Sequence, residues 1–232
     1  MTLNRSVLSR LSTSSTRRLG TVVALALLAL SVAVAQEADR WQPAMDRFAE
    51  LDRQTPPTPG GVLFLGSSSI RMWDLERWLP SSGAVNRGFG GSEIADSIRH
   101  FDTLVAPHAP RAIFFYAGDN DVARGKSAEV VAADFSKFRA LVAQRLPRAH
   151  VYYVAIKPSL SRWTLWPEMA RANASIAKAA KTDPLLSFVD VASPMIDSSG
   201  EPVASLFIED GLHMNDAGYQ IWSDIVAPLV IN

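Results

Sequence analysis

GVLFLGSSSIRMW, residues 61–73, decides how the rest of the chain is read. Val62 to Leu65 form an unbroken apolar run without the period-two alternation of a half-exposed strand, the pattern of a strand buried on both faces. Gly66 ends the run, three serines follow, and Ile70, Met72 and Trp73 read as the start of a helix. The same succession recurs in RAIFFYAG (111–118), HVYYVAIKP (150–158) and LSFVDVA (186–192), with a weaker fifth run in GAVNRG (83–88). Helical stretches separate them: Val131, Phe135, Phe138 and Val142 share one face, and Tyr219, Trp222, Ile225 and Leu229 share another. Strand and helix in turn predict a three-layer α/β/α sandwich around a central five-stranded parallel sheet, over residues 61–232.

Upstream of this domain the composition changes twice. Residues 1–35 carry Arg5, Arg10, Arg17 and Arg18, then the uncharged run TVVALALLALSVAVA, ending in Ala33-Val34-Ala35. A basic start, a short apolar stretch and a small-x-small end predict a secretory signal peptide cleaved after Ala35, and hence a secreted or periplasmic protein. The run from Thr21 to Ala35 is shorter than the roughly 20 residues that span a bilayer, so no stable membrane span is expected after cleavage. Residues 36–60 read as an amphipathic helix, with Trp41, Met45, Phe48 and Leu51 on one face, and the body of a linker, TPPTPGG (55–61), that cannot be helical and leads into the main domain. The chain has no cysteine, which excludes a disulfide framework, a thiol nucleophile and thiolate metal sites. Losing the leader takes four of the 23 basic residues and leaves 19 against 23 acidic ones, a net charge of about −4. That balance argues against nucleic acid as a partner.

In parallel sheets ligands bind beyond the carboxyl ends of the strands, so the chemistry is sought in the residues that follow each one. A serine hydroxyl becomes a nucleophile only beside a base that takes its proton, and that base needs a third group to orient it. Of four histidines, His100 falls within a helix, His108 in a proline-flanked turn and His150 at the amino end of a strand; only His213 lies in a strand-end loop beside an acid. In Asp210-Gly-Leu-His213 the glycine permits a turn tight enough for the carboxylate to reach Nδ1 of the ring. Negative charge developing on an attacked carbonyl needs donors, which a glycine loop and a side-chain amide supply: Gly91 after the second strand and Asn120 after the third. Each signal has a plain structural counterpart. Ser68 could cap a helix, Gly88, Gly90 and Gly91 could serve a turn, Asn120 could be a cap, and His213 a solvated loop residue. Four such signals on four successive switch-side loops favour one shared site.

The ordered set GSSS (66–69), GFGGS (88–92), GDND (118–121) and DGLH (210–213) resembles the four sequence blocks of the SGNH hydrolases, the GDSL esterases and lipases, over roughly Gly61 to the C-terminus. The resemblance implies a flavodoxin-like SGNH hydrolase fold, Ser68 as nucleophile, His213 as base and Asp210 as its orienting acid. It also implies an oxyanion hole from the N–H groups of Ser68 and Gly91 and the Asn120 side chain, with no metal or organic cofactor. The family usually has aspartate directly before its serine, whereas Ser67 stands here, so Ser67 and Ser69 remain alternatives to Ser68 and Gly90 an alternative to Gly91. The resemblance further implies an ester substrate, either a small molecule or an acetylated polysaccharide, with lysophospholipase or thioesterase chemistry as the alternative.

Other readings are weaker. GDNDVARGKS (118–127) has six residues between its glycines where a phosphate-binding loop needs four. No G-x-S-x-G occurs, and one aspartate with one histidine is too small a set for a metal site. A non-catalytic carbohydrate-binding domain would use Trp163 and Trp166 for stacking and Ser68 only as a helix cap.

Overall fold

The computed structural model describes residues 40–230, and the five apolar runs are there the five strands of one sheet: β1 (Val62–Gly66), β2 (Val85–Gly88), β3 (Ala112–Tyr116), β4 (His150–Val154) and β5 (Leu186–Val189). The leader expected at residues 1–35 lies outside the described residues. All neighbouring strands are parallel, in the order β2-β1-β3-β4-β5. Every residue of β1 and β3 is buried, which is why neither alternates. Phe114 and Tyr116 face one side of the sheet, in a cluster with Phe64, Trp73 and Trp222. Phe115, between them, faces the other and stacks on Phe138 at 4.2 Å. Both faces therefore carry an aromatic core, and helices cover both.

The helices are α1 (Gln42–Gln54), α2 (Ser68–Arg71), α3 (Leu75–Trp78), α4 (Ile94–Arg99), α5 (Phe101–Leu104), α6 (Asp119–Ala123), α7 (Ala128–Arg145), α8 (Trp166–Ala180) and α9 (Asp216–Val230). The face expected on α7 is the buried one, Val131, Phe135, Phe138 and Val142. On α9 Tyr219 and Trp222 are buried as expected, but Val226 and Val230 complete the buried stripe, while Ile225 and Leu229 pack at its margin. In α1, Met45 and Phe48 are buried but Leu51 is 43% exposed, contrary to expectation. The last turn of that helix is instead held by a polar contact, the Asp52 carboxylate on the buried Arg87 guanidinium of β2. From Ala44 onward the chain forms one compact unit.

The strand order fixes where a site can form. The chain leaves β1 for β2 on one side and returns past β1 to start β3 on the other, so the loops after β1 and β3 diverge and leave a crevice. Register keeps the strand ends level, since Gly66 pairs with both Gly88 and Tyr116. Gly66 permits the sharp exit from β1: its φ is +138°, and a Cβ there would lie 1.8 Å from the Tyr116 carbonyl oxygen. Backbone strain and the clash act together, so Gly66→Ala is expected to cost on the order of 3 kcal/mol or more in denaturant unfolding. A loss below about 1 kcal/mol would contradict this account of the turn.

Candidate active site

The serine triplet turns the chain from β1 into α2. Ser67 is the N-cap residue, but its side chain makes no capping bond, and Ser68 is the first residue of the helix. The plain expectation that Ser68 serves as a cap therefore does not hold. Ser67 is fully enclosed and Ser69 nearly so, at 0% and 2% exposure, whereas Ser68 opens toward solvent at 7%. The turn is held from two sides: the Ser67 N–H donates to the Tyr116 carbonyl at 2.9 Å, and the Tyr219 hydroxyl of α9 donates to the Ser69 carbonyl at 2.9 Å.

The second component arrives from the far end of the chain. Between Phe207 and Met214, which form an isolated antiparallel bridge, the loop closes through the Ile208 N–H on the His213 carbonyl, with Gly211 in the left-handed region at φ +62°. Asp210 organises it: one carboxylate oxygen accepts the N–H groups of Leu212 and His213, at 2.8 and 2.9 Å, and the other lies 2.6 Å from His213 Nδ1. The opposite ring nitrogen, Nε2, is 2.9 Å from Ser68 Oγ, across 145 sequence positions. Partial desolvation works against the Asp210 charge, but the hydrogen bonds from the His213 ring and the two backbone N–H groups prevail and hold the carboxyl at about 2. The other histidines are placed elsewhere: His100 between α4 and α5, His108 near Asp52, and His150 against Ser187.

The third corner is formed by the loops after β2 and β3. Asn120 is the second residue of α6 rather than its cap, which is Gly118. Its Nδ2 donates to the Ser92 carbonyl at 3.0 Å, and its Oδ1 accepts from the Arg162 guanidinium at 3.1 Å. A guanidinium only donates, so Arg162 fixes which end of the amide is oxygen, and of the two Nδ2 protons only one has a bond, to Ser92, among the described residues. Gly90 and Gly91 both line the pocket beside Asn120 and Ser68. The glycine loop is tied down by Asp121, which accepts the Ile94 N–H at 3.2 Å and the Lys126 ammonium at 2.9 Å. Lys126 also meets Glu93 and Asp134, each at 2.9 Å; burial opposes its charge, but the three carboxylates outweigh that and hold it protonated. Ser127 caps α7 through Val130, and Lys126 is engaged with three carboxylates, so both residues of the Gly-Lys-Ser run have structural partners in this loop.

Two residues that sequence reasoning did not assign complete the arrangement. Arg162 pairs with Asp119 at 3.2 Å while orienting Asn120. Lys157, only 2% exposed, donates to the Leu212 carbonyl at 2.6 Å and so braces the peptide ahead of His213. Burial lowers its ammonium to about 8, against the attraction of Asp119 and with added repulsion from Arg162. Both stand after β4, where the strand-end rule directs attention, but only their partners reveal their use. The two tryptophans that follow stack on each other, with ring centres 5.9 Å apart, and Trp166 packs against the core.

Together these corners enclose an open pocket of about 540 Å³ lined by Ser68, Asn120 and His213, among others. Larger cavities of about 620 Å³ lie under the Thr55–Gly61 linker and beside α3, without a comparable hydrogen-bonded line of serine, imidazole and carboxylate. Among the described residues no cluster of three or more histidine, aspartate or glutamate side chains could hold a metal ion, and no helix is long and apolar enough to cross a membrane.

The strand order β2-β1-β3-β4-β5 with helices on both faces is the SGNH hydrolase fold, shared with a solved GDSL-like lipase. More narrowly, the chain belongs to the GDSL-like lipase/acylhydrolase family, whose pattern matches residues 67–221, and it is a hydrolase of ester bonds. Solved structures agree on the fold. A Streptococcus pneumonia protein provisionally designated platelet activating factor superposes with a TM-score of 0.75 at 19% identity, covering 88% of this chain and 99% of its own. A GDSL-like lipase from Bacteroides thetaiotaomicron gives 0.67 at 19% identity, covering 81% and 97%. A carbohydrate esterase family 3 protein from Talaromyces cellulolyticus gives 0.61 at 18% identity, covering 74% and 96%. No curated protein matches the sequence.

The hydrogen bonds to Asp210 carry a pH signature. A carboxyl held at about 2, against an ordinary value of 3.8, contributes stability that is present above about pH 4 and is lost as pH falls toward 2. Acid unfolding followed by circular dichroism should therefore show wild type losing stability relative to Asp210→Asn across that window. Parallel curves for the two proteins would mean that these hydrogen bonds do not hold in solution.

Proposed function

We propose that the chain is an exported serine esterase that removes small acyl groups, such as acetyl, from an alcohol or carbohydrate. The observation that carries this reading is the continuous hydrogen-bond line Asp210, His213, Ser68, at 2.6 and 2.9 Å, opening on a pocket. Ser68 Oγ attacks the ester carbonyl carbon while its proton passes to His213 Nε2, and the C–O bond to the alcohol breaks as that proton moves to the leaving oxygen. Water then gives its proton to Nε2, adds to the acyl-serine and releases the acid, and Ser68 recovers a proton. Asp210, held ionised, keeps Nδ1 protonated and stabilises the imidazolium formed in each half.

The transient oxyanion is received by the N–H groups of Ser68 and Gly91 and by Asn120 Nδ2, oriented by Arg162. Ser68 is preferred over Ser67 and Ser69 because those two are enclosed. Gly91 follows the family pattern, with Gly90 beside it in the same wall. Among structural relatives, one named a carbohydrate esterase favours a sugar ester and one named an acetyl esterase favours a small acyl group, and the open pocket suits a bulky alcohol. Export rests on the basic and apolar residues 1–35. A sugar-binding role for Trp163 and Trp166 is disfavoured because their rings are engaged with each other.

Ser68→Ala should abolish hydrolysis of 4-nitrophenyl acetate, and Asn120→Ala should lower kcat on the order of 100-fold with a smaller change in KM. Full activity in Ser68→Ala would remove the proposed nucleophile, and an unchanged kcat in Asn120→Ala would remove that oxyanion donor.

A further inference from the structure

The wall above Ser68 is unusual in its charge. Two guanidiniums, Arg71 and Arg162, line the pocket and no carboxylate does; Asp210 sits behind the imidazole. The two are not equivalent. Arg162 has one terminal nitrogen on Asp119 and the other on Asn120, so its donors are committed to holding the site together. Arg124, near the same glycine loop, is likewise paired with Glu93. Arg71 is exposed, and among the described residues no carboxylate lies within ion-pair distance of it. Its place is set by the helix: Ser68 and Arg71 are three residues apart in α2 and share a face. Gly90 leaves room for it, since a Cβ on that glycine would come within 3.0 Å of Arg71 Nε.

We propose that Arg71 is a specificity residue that receives an oxyanionic group of the ester substrate, a carboxylate or a phosphate, beside the scissile bond. This rests on Ser68 being the nucleophile, because the guanidinium is placed relative to that side chain. An unpaired guanidinium at the rim of a pocket without carboxylates offers parallel N–H donors that match either group bidentately. A neutral ester would leave those donors to water and gain nothing from them.

The test compares three acetyl esters built on one aromatic ring: 4-acetoxybenzoate, 4-acetoxyphenyl phosphate and the neutral 4-acetoxybenzamide. The kcat/KM ratio of each anion to the amide is taken within one enzyme at low ionic strength, so that any general loss of activity cancels. In wild type at least one anion should be preferred about tenfold or more, and which one identifies the group. In Arg71→Gln that preference should fall to about twofold or less, and added salt should erode it in wild type. Equal use of all three esters by wild type, or a preference that survives in Arg71→Gln, overturns the inference while leaving the esterase reading intact. If wild type turns over none of the three, the esterase reading fails and this inference falls with it.

Discussion

Level, parallel strand ends are the constraint on which the rest depends. Gly66 pairs with Gly88 on one side and with Tyr116 on the other, so β1, β2 and β3 end at the same height and their loops emerge together. Parallel strands cannot be joined by hairpins, and each return must cross a helix layer. Both faces of the sheet must then be apolar, which the stacked rings of Phe64 and Phe114 on one side and Phe115 and Phe138 on the other satisfy. What remains for polar chemistry is the edge beyond the strand ends. There the reversal of strand order between β1 and β3 opens the crevice that holds Ser68 and Asn120.

Two braces convert that crevice into a defined site. On one side Lys126 binds three carboxylates from the β2 loop, α6 and α7, and so holds the glycine loop against Asn120. On the other, the segment after β4 reaches both remaining corners. Lys157 grips the Leu212 carbonyl, the Ser161 N–H donates to the Gly211 carbonyl at 3.0 Å, and Arg162 sets the Asn120 amide. One segment thus ties the loop carrying His213 to the loop carrying Asn120. Buried charges of this kind add little to net stability, but losing one partner leaves the other desolvated and exposes the geometry to drift.

Much of this was legible in the sequence, for identifiable reasons. Buried parallel strands announce themselves as apolar runs, and the five runs of the sequence, the weaker GAVNRG included, have ends within a few residues of the five strands. The α7 stripe follows helical period. Leu51, by contrast, sits on the expected apolar face of α1 but is exposed, because the Asp52–Arg87 pair, invisible to periodicity, decides how that end of the helix docks. In α9 the buried stripe runs through Val226 and Val230, one position beyond Ile225 and Leu229, and both choices are equally apolar in sequence. At the site, Ser68, Gly91, Asn120, Asp210 and His213 were named from strand-end position and order. Lys157 shares that strand-end position but not a readable role, and Arg71 and Arg162 have neither, since a basic side chain declares its role only through the carbonyl, amide or pocket it faces.

The claim at the centre of this account is that Ser68, alone among three adjacent serines, is activated by His213. The most direct measurement is to treat the purified protein with an alkyl fluorophosphonate and to locate the adduct by peptide fragmentation. A single adduct on Ser68, absent when His213 is replaced by alanine, is the expected result. An adduct on Ser67 or Ser69, or labelling of Ser68 that is indifferent to His213, would contradict it.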